Sequence, residues 1–360
     1  MNTLYDQEVF INKSRISKSL ETYFIADLAA NHDGDLGRLK SLIWLAKDAG
    51  ANAVKFQHFL ADRIVSDIGF RSIGNKIGHQ AAWKESVFDI YDAYHCRRNW
   101  TESLVQTCID ADIDMMTSPY DFDAVDLFAQ HVAALKIGSG DITWLEIINK
   151  IAEQQKPVLL ACGASTMDDV HRAVGAVLKC NRKLILMQCN TNYTADPDNL
   201  KYINLRVLKS FAARWPGLPL GLSDHTLGHS TVLGAVTLGA SVIEKHFTDD
   251  NERSGPDHKF AMNPETWSEM VSRTRELEAA LGDGIKRIEP NESDTAILQR
   301  RAICVREDTS AGVALTQENL EYLRPCPEEA CPPYRFEDVL GRVLLNPKQA
   351  HEFILWSDLD

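Results

Sequence analysis

From Tyr23 to about Gly282, short apolar runs rich in β-branched residues alternate with longer stretches whose apolar positions recur every three or four residues. This alternation is the signature of repeated βα units and a parallel sheet. Eight strands are predicted: YFIADLAA (23–30), AVKFQ (53–57), DMMTSP (114–119), ALKIGSG (134–140), VLLACG (158–163), LILMQCN (184–190), LPLGLSDH (218–225) and VIEKHF (242–247). Between the first two, Leu36, Leu39, Leu42, Ile43 and Ala46 make one helical face that ends at Gly50. Eight strands separated by helices within about 250 residues point to a closed (β/α)8 TIM barrel rather than an open doubly wound sheet. No G-x-G-x-x-G follows the first strand, which weighs against a dinucleotide fold.

The pattern changes twice outside the repeats. Residues 60–113 exceed the usual βα-loop length and include RSIGNKIGHQAAWKES, which reads as a lid or binding loop. The barrel is expected over 1–285, followed by a polar linker at 286–297. From 298 to 360, short alternating runs separated by turn residues predict a small, mostly β domain of marginal core.

Composition narrows the function classes. Fifty-one acidic against 38 basic residues give a formal net charge of -13 over 360 residues, which would repel a phosphate backbone and argues against nucleic acid. An anionic small molecule must then meet a local cluster of Lys and Arg. No apolar run approaches the length of a membrane span and the start lacks a signal-type apolar core, so the expectation is a cytoplasmic protein without membrane attachment. The eight cysteines show no C-x-x-C pairing and read as reduced, mostly buried thiols.

Barrel enzymes carry their chemistry at the C-terminal ends of the strands. Expected at that rim are Asp27 and Asn31-His32-Asp33; Lys55 and Gln57; Ser118; Lys136, Ser139 and Asp141; Asn190, Thr191 and Tyr193; Ser223-Asp224-His225; and Glu244-Lys245-His246. Polar groups inside such apolar strands cost free energy unless partners or a ligand meet them, and convergence from seven strands favours a ligand site. His225 and His246, from adjacent strands, suit either a metal with open positions or an acid–base or structural role. Lys55 and Lys136 with Ser118, Ser139, Thr191 and Ser223 suit a phosphate or carboxylate, although a strand lysine can also snorkel to the rim.

These motifs carry a resemblance. FIADLAANHDGDLGRLKSLIWLAKDAGANAVKFQ, TSPYDFDAVDLF, LKIGSGDIT, GLSDHTLGHSTVLGAVTLGASVIEKHFTDD and SGPDHKFAMNPE resemble the sialic acid synthase family, whose members condense phosphoenolpyruvate with an N-acetylated hexosamine to make nine-carbon sugar acids. RRAICVREDTSAGVALTQENLEYLRP followed by VLGRVLL is similar to that family's C-terminal antifreeze-like (SAF, β-clip) domain, so the resemblance covers essentially the whole chain. It implies His225 and His246 as ligands of a divalent metal, usually Mn²⁺, with Mg²⁺ or Co²⁺ as alternatives. It implies Lys55, Ser118, Lys136, Ser139, Thr191 and Ser223 around phosphoenolpyruvate, and Gln57, Tyr193 and Asp257 near the acceptor sugar. It also implies a domain-swapped homodimer in which Arg324 of the R-P motif reaches a sugar site.

Three departures bear on that reading. The family usually has Glu where this chain has Asp27 and Asp141, each shorter by one methylene. Its common S-T-G is Ala161-Cys162-Gly163 here, which removes a hydroxyl expected near the phosphate, and CPEEACPP replaces a Gly-rich segment after R-P. The paired shortening points to an acceptor other than N-acetylmannosamine. In the expected reaction Asp141 handles the proton of the attacking water, Asp27 orients the acceptor and Lys136 serves the reacting centre. The alternatives are a sugar- or phosphate-binding paralogue without catalysis, and a metal-dependent barrel aldolase or hydrolase that does not use phosphoenolpyruvate.

Overall fold

A computed structural model describes residues 4–73, 80, 83 and 85–360. The chain divides into two compact units, Met1–Gly282 and Asp283–Asp360.

The first unit opens with a hairpin, β1 (Val9–Ile11) and β2 (Ser14–Ile16), followed by eight parallel strands: β3 (Tyr23–Asp27), β4 (Ala53–His58), β5 (Asp114–Pro119), β6 (Ala134–Ile137), β7 (Val158–Ala161), β8 (Leu184–Cys189), β9 (Leu220–Asp224) and β10 (Ala240–His246). They close in the order β10-β3-β4-β5-β6-β7-β8-β9, each predicted strand taking its place in a TIM barrel. Helices α1 (Leu36–Asp48), α2 (Ala61–Ile64), α3 (Asp67–Ser72), α4 (Val87–Tyr94), α5 (Thr101–Asp110), α6 (Phe122–Phe128), α7 (Leu145–Ala152), α8 (Met167–Leu178), α9 (Val207–Arg214), α10 (Ser230–Thr237) and α11 (Pro264–Leu281) lie between and after the strands. In α1, Asp35 caps the N-terminus and Leu39, Leu42, Ile43 and Ala46 are buried, the face that the spacing predicted.

Strand alternation sorts the apolar residues into two cores. Phe24, Val54, Phe56, Leu135, Leu160, Leu186 and Ile243 face the helices. Ile25, Ala53, Met116, Leu159, Ile185, Met187 and Val242 face the axis, where Val9, Ile11 and Ile16 of the hairpin join them. The hairpin was not anticipated, because three-residue arms carry too little period-2 signal to register. It adds to an apolar layer within the barrel, leaving the opposite end for chemistry.

Two predicted strands stop three residues early for local reasons. β3 ends at Asp27 because Ala29 takes φ 37, a left-handed conformation held by its N–H donating to Asp27 Oδ1 at 3.1 Å. After β6 the chain turns into a 3₁₀ helix at Ser139–Asp141, which lifts those side chains off the strand line. The segment between β4 and β5 holds α2 to α5; of the stretch read there as a binding loop, residues 74–79, 81–82 and 84 lie outside the described residues.

In the second unit, residues 286–297, expected to be a plain linker, contain a 3₁₀ turn at Pro290–Glu292 and most of helix α12 (Ser293–Gln299). β11 (Ala302–Val305) and β12 (Leu320–Leu323) pair antiparallel. They cover a small core that includes Ile303, Val305, Leu315, Leu320, Leu344 and Ile354. Among the described residues no helix is long and apolar enough to cross a membrane.

Candidate active site

The C-terminal ends of the strands surround a cavity of ≈ 400 Å³. Its floor is built by the inward members of the alternation, continuing above the apolar layer. Lys55 Nζ on β4 lies 2.7 Å from Asp27 Oδ2 on β3 and 3.5 Å from Ser118 Oγ on β5, and Gln57 Nε2 donates to the same Asp27 oxygen at 3.0 Å. Across the axis, Lys136 Nζ on β6 is paired with Glu244 Oε1 on β10 and lies 3.1 Å from Ser223 Oγ on β9, which is 3.2 Å from Glu244 Oε1. Asp27, Lys55, Lys136, Ser223 and Glu244 are all buried.

The two imidazoles stand side by side at the ends of β9 and β10, ring centroids 5.3 Å apart. His225 Nδ1 donates to the Asn190 carbonyl at 2.8 Å, which fixes the tautomer and leaves Nε2 as the lone-pair nitrogen. His246 Nε2 is 3.6 Å from Asp27 Oδ2, while its Nδ1 is buried without a hydrogen-bond partner and lies 3.8 Å from Asp257 Oδ2. Tyr193 packs over both rings, at 4.3 Å from His225 and 6.2 Å from His246.

Burial and charge divide the titratable groups. Burial would raise the Asp27 carboxyl, but Lys55, then His246 and Lys136, outweigh it and hold it well below the usual carboxylate range. Burial depresses His246 to about 3, so its ring is neutral at working pH. Asp141 is pushed up to about 6 by burial. Asp257 also rises to about 6, by burial and by repulsion from Asp27, against a hydrogen bond from the Ala30 N–H at 3.2 Å. Burial works against the Lys136 ammonium, yet Glu244 and Asp27 favour it and its pKa is raised. Two lysine–carboxylate ion pairs, two imidazoles of opposite tendency, His246 lowered by burial and His225 raised against burial by Cys189, and two carboxyls pushed up to about 6 thus share one chamber.

Asp27, Lys55, Gln57, Lys136, Ser139, Asp141, Tyr193, Ser223, His225, His246 and Asp257 line this cavity. Ser118 sits beside Lys55 rather than on the wall. Thr191 is not on the wall either: its methyl would lie 2.5 Å from a Cβ added at Gly163, whose N–H donates to the wall residue Ser139 at Oγ, 2.9 Å. Arg324 lies in the second unit, on its exposed surface. Five residues expected at the rim point elsewhere. Asp224 and Lys245 fall on the odd side of the alternation and pair with each other. Asn31 Nδ2 donates to the Phe247 carbonyl at 2.9 Å, His32 packs edge-on to Trp100 at 5.6 Å, and Asp33 bonds His258.

Sequence reasoning missed part of the wall. Glu244, noted only as a rim residue, is the partner of Lys136. Phe59, Ile64, Ile90, Tyr91 and Tyr120 make an apolar, aromatic side. For all but Tyr120, which follows β5, the signal was the length and aromatic content of the β4–β5 segment. Cys189 lines the floor with its thiol bonded to His225 and Ser139; burial opposes ionisation, but His225 outweighs it and its pKa is lowered. For a metal, His225 and His246 are the candidate ligands; among the described residues no group of three or more His, Cys, Asp or Glu side chains is arranged to hold an ion. The neutral His246 ring with its orphaned nitrogen, beside the His225 imidazole, fits a site with two protein ligands and positions open to water or substrate.

Residues 42–286 match the model of the NeuB family, and residues 300–360 match that of the SAF domain. The chain belongs to the NeuB family. Curated NeuB-type relatives agree: the N,N'-diacetyllegionaminic acid synthase of Legionella pneumophila is 32% identical over 348 residues, 95% of this chain and 96% of that protein. The human N-acetylneuraminate-9-phosphate synthase is 26% identical over 343 residues, covering 94% and 92%. Among solved structures, the spore coat polysaccharide biosynthesis protein SpsE of Bacillus subtilis superposes with a TM-score of 0.65 at 28% identity, covering 98% of this chain and 99% of that one. The second unit of this NeuB-family chain is therefore a SAF domain, and the first is its barrel.

Proposed function

We propose that this NeuB-family chain is a transferase that condenses phosphoenolpyruvate with an open-chain N-acetylated hexosamine or related amino sugar, giving a nonulosonic acid and inorganic phosphate. One observation carries the reading: two buried lysines, two hydroxyls and two imidazoles meet around a single cavity that also has aromatic walls. The naming of relatives as sugar-acid synthases supports the same class.

In the reaction, C3 of phosphoenolpyruvate forms a bond to the sugar aldehyde carbon and the aldehyde oxygen takes a proton. Water adds to C2, losing a proton, and the C2–O bond to phosphate then breaks, so that carbons, oxygens and electrons balance. Lys55, Lys136, Ser139 and Ser223, with Ser118 and Thr191 behind them, hold the carboxylate and phosphate of the donor. Asp141, whose carboxyl sits near 6, takes the water proton. Gln57, Tyr193 and Asp257 face the acceptor, and Asp27 orients it through the bond it accepts from Gln57. A divalent ion, Mn²⁺ or else Mg²⁺ or Co²⁺, bound by His225 and His246 would act as a Lewis acid on the aldehyde. Arg324 adds a cation to a sugar site, its own or that of a second copy in a swapped homodimer.

The aromatic wall and the shortened carboxylates at Asp27 and Asp141 favour an acceptor bulkier than N-acetylmannosamine. The test is phosphate release with Mn²⁺, phosphoenolpyruvate and a panel of sugars with one or two N-acetyl groups. Release with at least one sugar, abolished by a chelator and by His246→Ala and restored by Mn²⁺ only in the wild type, is the expected result. Absence of release with every sugar and metal would sink the reading.

A further inference from the structure

Asn31-His32-Asp33 follow the first barrel strand, and the proposed chemistry uses none of them. In the structure Asp33 does something else. Its Oδ1 lies 2.9 Å from Nε2 of His258, a fully buried ring whose Nδ1 is 2.7 Å from Thr248 Oγ1. A carboxylate only accepts, so Nε2 carries the hydrogen and Nδ1 accepts from the Thr248 hydroxyl. Asp33 Oδ2 also takes Arg253 at 2.8 Å and Arg38 at 3.2 Å, and Arg38 Nε donates to the Asn31 carbonyl at 2.8 Å. These bonds join the loop after β3 to the loop after β10 across the seam where the barrel closes.

The residue before His258 is Asp257, which lines the cavity and faces His246. Its carboxylate accepts from Ala30, in the same β3 loop that carries Asp33. Gly255 shows how tightly the turn is packed. A Cβ there would lie 2.6 Å from His258 Cδ2, 2.9 Å from Nε2 and 3.3 Å from Asp33 Oδ1, so only glycine lets the backbone pass over the His258–Asp33 bond.

We infer that His258, locked between Asp33 and Thr248, is a positioning residue: it fixes the seam loop so that Asp257 is presented to the acceptor sugar. The inference rests on the condensation reading only for which ligand is affected. The full-length protein with Mn²⁺ and phosphoenolpyruvate, and the best acceptor of the panel, provides the test. His258→Leu should raise acceptor KM roughly 10- to 100-fold, as misplacement of a binding group does, while phosphoenolpyruvate KM stays within about twofold. Gly255→Ala, which touches the ring and not the cavity, should reproduce the effect, and His258→Gln, which keeps an N–H for Asp33, should recover part of it. In an Asp257→Asn background His258→Leu should cost little more, because both act through one carboxylate. Amide exchange should quicken over 248–262 and not in β4 to β8. Equal losses for both substrates, additive losses in the Asp257→Asn background, or unchanged exchange over 248–262 would each overturn it. If the wild type releases no phosphate, the condensation reading fails while the exchange measurement still decides the clamp.

Discussion

Two buried lysine–carboxylate pairs meet at the last barrel strand, one on each face, and they are built differently: Lys245 on β10 takes Asp224 from β9, and Glu244 on β10 takes Lys136 from β6. Outside the barrel, Lys245 holds Asp224 Oδ2, which also accepts from Thr226 Oγ1 at 2.8 Å and Thr231 Oγ1 at 2.7 Å, while the ammonium donates to the Thr226 carbonyl at 2.6 Å. Every partner comes from β9, β10 and the turn into α10. Inside, Lys136 holds Glu244 and meets Ser223, but Glu244 Oε2 and the neighbouring His246 Nδ1 are buried with no partner. A saturated pair is a structural brace, whereas buried lone pairs left open mark a place where something else completes the set. The difference separates fold from chemistry one residue apart on the same strand.

Neutralising the two lysines should pull that comparison apart. Lys245→Met strands Asp224 in an apolar layer and should cost about 3–5 kcal/mol of folding free energy, read by denaturant titration. Lys136→Met should leave a folded barrel but bring phosphate release down to the uncatalysed background. Saturating phosphoenolpyruvate, at about 100 times its Kd, should stabilise the wild type by roughly 2.7 kcal/mol and leave the Lys136→Met protein unchanged. A Lys136→Met protein that still gained stability from phosphoenolpyruvate would mean that the inner pair is also a brace.

Smaller effects follow within the cavity. Asp141→Asn should lower turnover about 10²–10⁴-fold with little change in phosphoenolpyruvate affinity. Because the carboxylate form is the base, wild-type turnover should climb with pH through about 6, and the variant should lack that limb. Equal losses in turnover and affinity would refute the role. Gly163→Ala comes next: its Cβ would meet Thr191 Cγ2 at 2.5 Å and Ser139 Oγ at 2.9 Å. Pushing those groups apart should raise phosphoenolpyruvate KM roughly tenfold, the equivalent of about 1.4 kcal/mol, with acceptor KM unmoved.

How much of this was legible depended on period and direction. Eight apolar runs gave the barrel because a closed parallel sheet needs strands buried on both faces. Inward residues such as Lys55, Lys136, His225 and His246 stood out because charge is costly in such runs. The sequence could not say which member of Ser223-Asp224 or Glu244-Lys245 turns inward, since a one-residue shift exchanges the faces. Nor could it show that Glu244 would hold Lys136, a pairing across 108 positions, or that Asn31 and Asp33 serve the closure seam. The hairpin at 9–16 was lost for want of length, and the aromatic wall because α2, α4 and the residues just past β4 and β5, Phe59 and Tyr120, supply it from outside the strand pattern.

A last effect turns the two faces against each other in pH. The Asp141 carboxyl is raised from 3.8 to about 6 by burial, so between those values the folded state binds a proton that the unfolded chain has lost. Stability therefore falls as pH rises through that window, and Asp141→Asn should gain about 1–3 kcal/mol at pH 8 and nothing below about pH 4. Asp224 is the mirror case: burial opposes its charge, but Lys245 and the two threonines outweigh it and its pKa is lowered. Its contribution is present above the unfolded value of 3.8 and fades as pH falls, so Asp224→Asn should lose stability at pH 8 and progressively less toward acid. Thermal melts of both variants from about pH 2 to pH 8 check the pair, the Asp141 change appearing above 3.8 and the Asp224 change below it. If the Asp141 variant melted with the same offset from wild type at every pH, its carboxyl would not be paying for burial, and the contrast between an inner wall built for chemistry and an outer one built for the fold would lose its electrostatic half.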